Sequence, residues 1–230
     1  MKRCLLCEAL LLIGFLVVAT GIIAATGTDI AVSSRFYIDG TWPVGNLPFW
    51  QLLYRLDRIP SFFLGSVGLL GFLMSYARPD YYRWRRAGAF LVLLLVLGPG
   101  LLVNSVFKDH WGRPRPREIV EFGGKKQFLQ PWQKGESGNG RSFPSGHSSA
   151  AFYLASPYLI YRRTNKRRAY SWLAGGLLFG VIMSMARVTQ GAHFVSDNLW
   201  AFGMVALSAL LLSWLLDLDR AAEAEPAPKA

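Results

Sequence analysis

Six long apolar stretches constrain this chain more than any other feature: Leu5–Thr26, Pro60–Ala77, Ala87–Phe107, Phe143–Tyr161, Ala169–Ala186 and Asn198–Leu216. A bilayer core about 30 Å thick takes about 20 residues of helix. In lipid the backbone must satisfy its own hydrogen bonds, which leaves helices and closed barrels. These blocks are too continuous for barrel strands, which alternate. The sequence therefore predicts an all-α, polytopic membrane protein with six transmembrane helices in one bundle over residues 1–216. Residues 28–59 and 108–142 are read as loops on one face, and 217–230 as a disordered tail. With 52% hydrophobic and 17% charged residues, the 230-residue chain is excluded from the disordered class. Two Cys and 23 Gly without a period of three exclude disulfide-stapled and collagen-like chains.

Finer features refine the spans. The first block is read as a span and not a cleaved leader, because its apolar run is long and Ile22–Gly27 is a poor cleavage site. Glu8 lies near its start and reaches the interface. Pro99 and Asn104 predict a kink in the third block, and the fourth, with a polar outer end and Pro157, is the weakest. Two short loops are dense in cations: Arg78, Arg83, Arg85 and Arg86 in one, and Arg162, Arg163, Lys166, Arg167 and Arg168 in the other. These place the N- and C-termini on the cytoplasmic side of a bacterial inner membrane. Between Thr28 and Ile59, Phe49, Leu52, Leu53 and Leu56 recur at helical spacing after Asn46, which reads as an amphipathic helix at the interface or against the bundle.

The opposite face holds a basic excess that the spans do not explain: eight Lys and Arg within Lys108–Arg141. Three clusters fall on this face. One runs from Lys108 through Arg115 and Pro116 after the third span. Pro144, Ser145, Gly146 and His147 open the fourth. Arg187, His193 and Asp197 lie between the fifth and the sixth. Lys108, Arg115 and Arg187 supply fixed cations, and Arg grips two phosphoryl oxygens at once. Ser145 and Gly146 stand where a helix begins, with free N–H groups and a positive dipole end that favour an anion. Such a set suits the equatorial oxygens of a phosphoryl in transfer.

His193 and Asp197, four apart, share a helix face. Asp197 is expected to accept from one ring nitrogen and leave the other to attack phosphorus. His147 is expected to protonate the leaving oxygen, then deprotonate water. No metal or other cofactor is expected, because the clusters lack the carboxylate set that a two-metal site wants.

These clusters resemble the signature of the type 2 phosphatidic acid phosphatase (PAP2) family, membrane lipid phosphatases related to vanadium haloperoxidases. Its pattern is Lys, six residues, Arg-Pro; then Pro-Ser-Gly-His; then Ser-Arg, five residues, His, three residues, Asp. The chain matches at every position but one: Ala186 stands where the family usually has Ser. The resemblance implies His193 as nucleophile and His147 as acid/base. The run from Lys108 to Arg117, followed by Glu121 to Gly124, is similar to bacterial lipid A phosphatases within the family. That similarity implies a lipid phosphate substrate at the periplasmic face, lipid A or a comparable lipid, with phosphatidylglycerophosphate and undecaprenyl pyrophosphate as competitors. Transfer of the phosphoryl to a second lipid would use the same residues.

Other classes fit less well. A transporter places ionisable groups at mid-membrane depth, whereas here the helix middles lack charges. No nucleic-acid motif accompanies the cations, and no obligate protein partner is evident; membrane lipids are the expected surroundings. His110, Arg113 and Arg117 are read as candidate headgroup contacts beside the phosphate cations, against structural or solvated roles. The stretch from Gly123 to Arg141 reads equally as a solvated loop or a headgroup clamp.

Overall fold

The computed structural model describes residues 2–82 and 84–219, with the backbone alone at 2–4. Among these residues the regular elements are helices and there is no strand: α1 (Lys2–Ala25), α2 (Thr28–Ser34), α3 (Pro48–Leu56), α4 (Ile59–Ala77), α5 (Trp84–Leu95), α6 (Lys108–His110), α7 (Gly146–Tyr153), α8 (Pro157–Tyr161), α9 (Lys166–Thr189) and α10 (Val195–Leu215). Among the described residues, five stretches are long and apolar enough to cross a membrane: Leu5–Ala25, Pro48–Ala77, Trp84–His110, Lys166–Thr189 and Val195–Leu215. The broken pair α7–α8 is the sixth member of the bundle, packed against α9 and α10.

The breaks have local causes. Pro157 opens α8 and cannot donate a backbone bond. The chain instead closes three i→i+3 bonds, from Leu154, Ala155 and Ser156 to Ala151, Phe152 and Tyr153. Pro99 likewise interrupts the third span. From Val96 to Phe107 the helix widens to a π-type turn, and the Asn104 amide donates to the Pro99 carbonyl at 2.6 Å. The second span begins earlier than Pro60, because α3 runs into α4 through Asp57 and Arg58. Three charges, Arg55, Asp57 and Arg58, hide that continuity from a hydropathy count. Residues 28–59 are therefore largely helical and not an open loop.

Helix α1 is apolar all round and exposes Leu6, Leu10, Leu11, Phe15, Val17, Val18 and Ile22, as a lipid-facing helix should. It docks on α10 through Leu16 and through Thr20, which accepts from the Trp200 indole at 3.1 Å. The close crossing of α4 and α5 rests on Gly68 and Gly88. A Cβ at Gly88 would stand 2.4 Å from the Gly68 carbonyl oxygen, so small residues let the backbones touch.

At the end away from the signature clusters, Arg162 is nearly buried. It donates to Asp219 at 3.0 and 2.7 Å and to Glu8 at 2.9 Å. Leu218 and Asp219 are buried, so the expected tail does not begin at 217: this carboxylate anchors the chain to the bundle. The disorder expected for 221–230 lies outside the described residues.

Candidate active site

At the other end, residues 111–145 fold down over the helix mouths. Ile119 and Phe122 pack with Phe194, Tyr37, Trp42 and Phe128. The Trp111 indole donates to the Pro131 carbonyl at 3.0 Å, and Ser142 N–H donates to the Arg113 carbonyl at 2.9 Å. The segment is an ordered cover built on its own apolar cluster.

Helix starts meet beneath it. Ser145 caps α7, accepting from Ser148 N–H, and its own N–H donates to the Asp197 carbonyl at 3.2 Å. Ser148 donates from its hydroxyl to Asn198 at 2.6 Å. Gly146 is required by close approach, since a Cβ there would lie 2.3 Å from Asn104 Oδ1 on the π-turn. The Arg117 N–H donates to the Gly191 carbonyl at 3.1 Å. The three clusters, far apart in the chain, thus share one pocket of backbone.

His193 is fully buried. Its Nδ1 lies 2.7 Å from the Ser142 carbonyl oxygen. A carbonyl only accepts, so Nδ1 carries the proton and Nε2 keeps its lone pair. Nε2 is buried without a partner. Burial holds this imidazole down at about 4, with the Arg187 and Lys108 cations pushing the same way and Asp197 opposing them.

Asp197 differs from expectation. Its Oδ2 stands 3.8 Å from His193 Nδ1, beyond a hydrogen bond. The carboxylate is occupied by Arg113 at 2.6 Å, the Ser142 hydroxyl at 2.6 Å and Phe194 N–H at 2.7 Å. It acts on His193 through Ser142, whose hydroxyl it holds while the carbonyl of the same residue sets the tautomer. Arg113 also differs. It is fully buried and donates to Asp197, Ser196, Asp29 and the Leu129 carbonyl. A headgroup cannot reach it: a charge this deep needs its full set of partners, and two carboxylates supply them. Arg117 and His110 remain exposed, and His110 Nδ1 lies 2.9 Å from the Val106 carbonyl.

Lys108 and Arg187 are buried, and Arg115 is half-buried. Lys108 faces both arginines. Arg187 donates to Gln190 at 2.5 Å, yet its Nε is buried without a partner, as is Arg115 Nε. Buried polar atoms are ordinarily satisfied. Here five unsatisfied atoms belong to one constellation: Arg115 Nε, Arg187 Nε, His147 Nδ1, His193 Nε2 and Asp57 Oδ2. Like-charged side chains held together with open donors form a receptacle for a multiply charged anion.

Sequence reasoning missed Tyr54 and Asp57. The Tyr54 ring stacks on His147 at 5.1 Å and 28° and lies under the Arg187 guanidinium at 4.8 Å. Asp57 Oδ2 is 3.4 Å from His147 Nε2. The available signal was spacing: Tyr54 and Asp57 are three apart, one turn on a helix. Among the described residues, no group of three or more His, Cys, Asp and Glu side chains is placed to hold a metal ion.

Comparison with known proteins matches residues 89–220, more than half of the chain, to the model of the PAP2 superfamily. The chain is 33% identical over 194 residues to a lipid A 4'-phosphatase of Francisella tularensis subsp. novicida (strain U112), covering 82% of this chain and 86% of that protein. A lipid A 4'-phosphatase of Rhizobium leguminosarum is 29% identical over 208 residues, covering 82% and 88%. Phosphatidylglycerophosphatase B of Bacillus subtilis (strain 168) is 28% identical over 158 residues, covering 66% and 68%. A crystal structure of a transmembrane PAP2-type phosphatidylglycerolphosphate phosphatase from Bacillus subtilis aligns at a TM-score of 0.41 and 20% identity, covering 90% of this chain and 94% of that one. With its membrane-spanning helices and these relatives, the chain is a membrane phosphatase and belongs to the PAP2 superfamily.

Proposed function

We propose that this phosphatase hydrolyses a bacterial lipid phosphate, lipid A in particular, through a phosphohistidine on His193 and without a metal ion. The observation that carries the reading is the convergence of unsatisfied buried donors on a nucleophile whose free lone pair is set by the Ser142 carbonyl. Lys108, Arg115, Arg187 and the N–H groups opening α7 hold the phosphoryl oxygens. The Nε2 lone pair attacks phosphorus, the bond from phosphorus to the lipid oxygen breaks, and that oxygen takes a proton from His147. Water then loses a proton to His147 and attacks; the phosphorus–nitrogen bond breaks, releasing phosphate and restoring His193. Fixed cations supply what a metal would otherwise provide.

Lipid A as substrate is supported by the two relatives of that name, each aligned over 82% of this chain. The cationic loops at 78–86 and 162–168 support a cytoplasmic location for that end, termini included, and hence a periplasmic site in the inner membrane. The test is His193→Ala in detergent, with phosphate release measured on lipid A, phosphatidylglycerophosphate and undecaprenyl pyrophosphate. The expected result is a loss of about 10³-fold or more on lipid A, the substrate the unmutated enzyme prefers. Retained turnover would sink the phosphohistidine. Preference for another substrate would sink the lipid A assignment alone, and labelled phosphate passed to an acceptor lipid would replace hydrolysis by transfer.

A further inference from the structure

The reaction above asks His147 to give a proton and take one back, which requires that one ring nitrogen be held and the other left free. Nothing in the family signature does this, and the structure provides a group that can. Asp57, at the joint between α3 and α4, is 6% exposed, and its Oδ2 has no hydrogen-bond partner. A bare buried carboxylate costs several kcal/mol unless it faces a donor. The side-chain nitrogens nearest this oxygen are His147 Nε2 at 3.4 Å and Arg58 Nε at 3.7 Å, while the Arg58 backbone N–H and the Arg187 and Lys108 cations also act on the carboxylate. Arg58 is mostly exposed and free to swing into solvent, whereas His147 is held by the Tyr54 stack from the preceding turn of α3. The other His147 nitrogen, Nδ1, is buried and unpartnered. The further charged or titratable groups acting on this ring are Arg187, His193, Lys108 and Arg58.

We propose that Asp57 is a positioning residue for phosphate release. It holds the Nε2–H of His147, so that Nδ1 passes the proton to the departing lipid oxygen and then takes one from water. At 3.4 Å the pair does not yet make a hydrogen bond; it closes to one when the anion enters, as catalytic contacts tighten on binding. Asp57 also supplies the negative charge that lets His147 carry a proton among Lys108, Arg187 and Arg58. The inference rests on the phosphohistidine reading and adds to it a carboxylate from the α3–α4 joint.

The experiment compares Asp57→Asn with the unmutated enzyme on two leaving groups: a glycolipid phosphate, whose alkoxide needs a proton, and para-nitrophenyl phosphate, whose phenolate does not. The expected loss in kcat is roughly 100-fold on the first and about threefold or less on the second. Equal losses on both, as a purely structural role gives, or no loss, would overturn the assignment. His193→Ala runs beside it: if that variant keeps its turnover, the underlying reading has failed and not the placement of Asp57. A second measurement does not depend on the variant folding. The chain has three His, so ring ¹⁵N shifts of the histidine-labelled protein in micelles resolve each, with His147 assigned from His147→Asn. At pH 8 the inference requires Nε2–H with bare Nδ1; the opposite tautomer would overturn it.

Discussion

His193 shows how one buried side chain ties mechanism to pH. In the proposed mechanism protonation would remove the lone pair that attacks, and burial keeps the ring neutral down to about 4 against an ordinary value of 6.5. The acid limb of kcat/KM that belongs to this group is therefore expected near pH 4 and not near 6.5, since kcat/KM reports the free enzyme. The same shift affects stability. Below 6.5 the unfolded chain takes up a proton that the fold refuses until about 4, so the unfolded state binds more protons and stability falls as pH drops through that window. A pH series of thermal unfolding should show a shallower decline for His193→Gln. Arg113 makes the complementary point. Removing it in Arg113→Ala leaves Asp197 and Asp29 buried without their cation, an expected cost of about 3–5 kcal/mol, read by denaturation in detergent. A merely solvated arginine would cost almost nothing.

Elements position the site by where they stop. The π-turn brings Asn104 against Gly146, and the Ser145 cap aims the α7 N-terminus at the receptacle. Gly146→Ala would drive a methyl to 2.3 Å from Asn104 Oδ1. The helix start must move, and a shift near 1 Å at a reacting centre costs about 100-fold in kcat/KM. Asn104→Ala removes the obstructing atom, so the double variant should recover most of that loss; phosphate release from the four proteins of this cycle checks it. The sequence foretold the kink at Pro99 and marked the block holding Pro157 as the weakest, but gave neither the break before Pro157 nor the join of α3 to α4. That join depends on tertiary burial of Asp57, which a window average counts only as an interruption.

Across the whole molecule the two ends do different work. One end is a cluster of open donors. The other is closed by Arg162, which ties α1, α8 and the segment after α10 through Glu8 and Asp219. Burial pushes Asp219 up, but its bonds and charge contacts with Arg162 and Arg163 together hold it below its ordinary value. Arg162→Ala is expected to cost about 2 kcal/mol and to lower the unfolding temperature in detergent. Phosphate release per folded molecule should stay unchanged, because the loss is remote from the site. A fall in specific activity matching the fall in stability would show instead that the ends are coupled.

The sequence by itself determined the architecture, because lipid tolerates few backbones and long apolar runs read out their own secondary structure. It also singled out the side chains proposed here to bear phosphate chemistry, since Lys108, Arg115, Ser145, His147, Arg187 and His193 stand in spaced clusters at helix ends. Only the tertiary structure decided how those groups are governed. The Ser142 carbonyl, and not Asp197 directly, sets the His193 tautomer. Arg113 is buried between two acids instead of reaching for a headgroup, and Asp57 arrives beside His147 from a segment that reads as loop. Hydrogen bonds and buried ion pairs join residues of any separation along the chain, so neither periodicity nor local spacing encodes them.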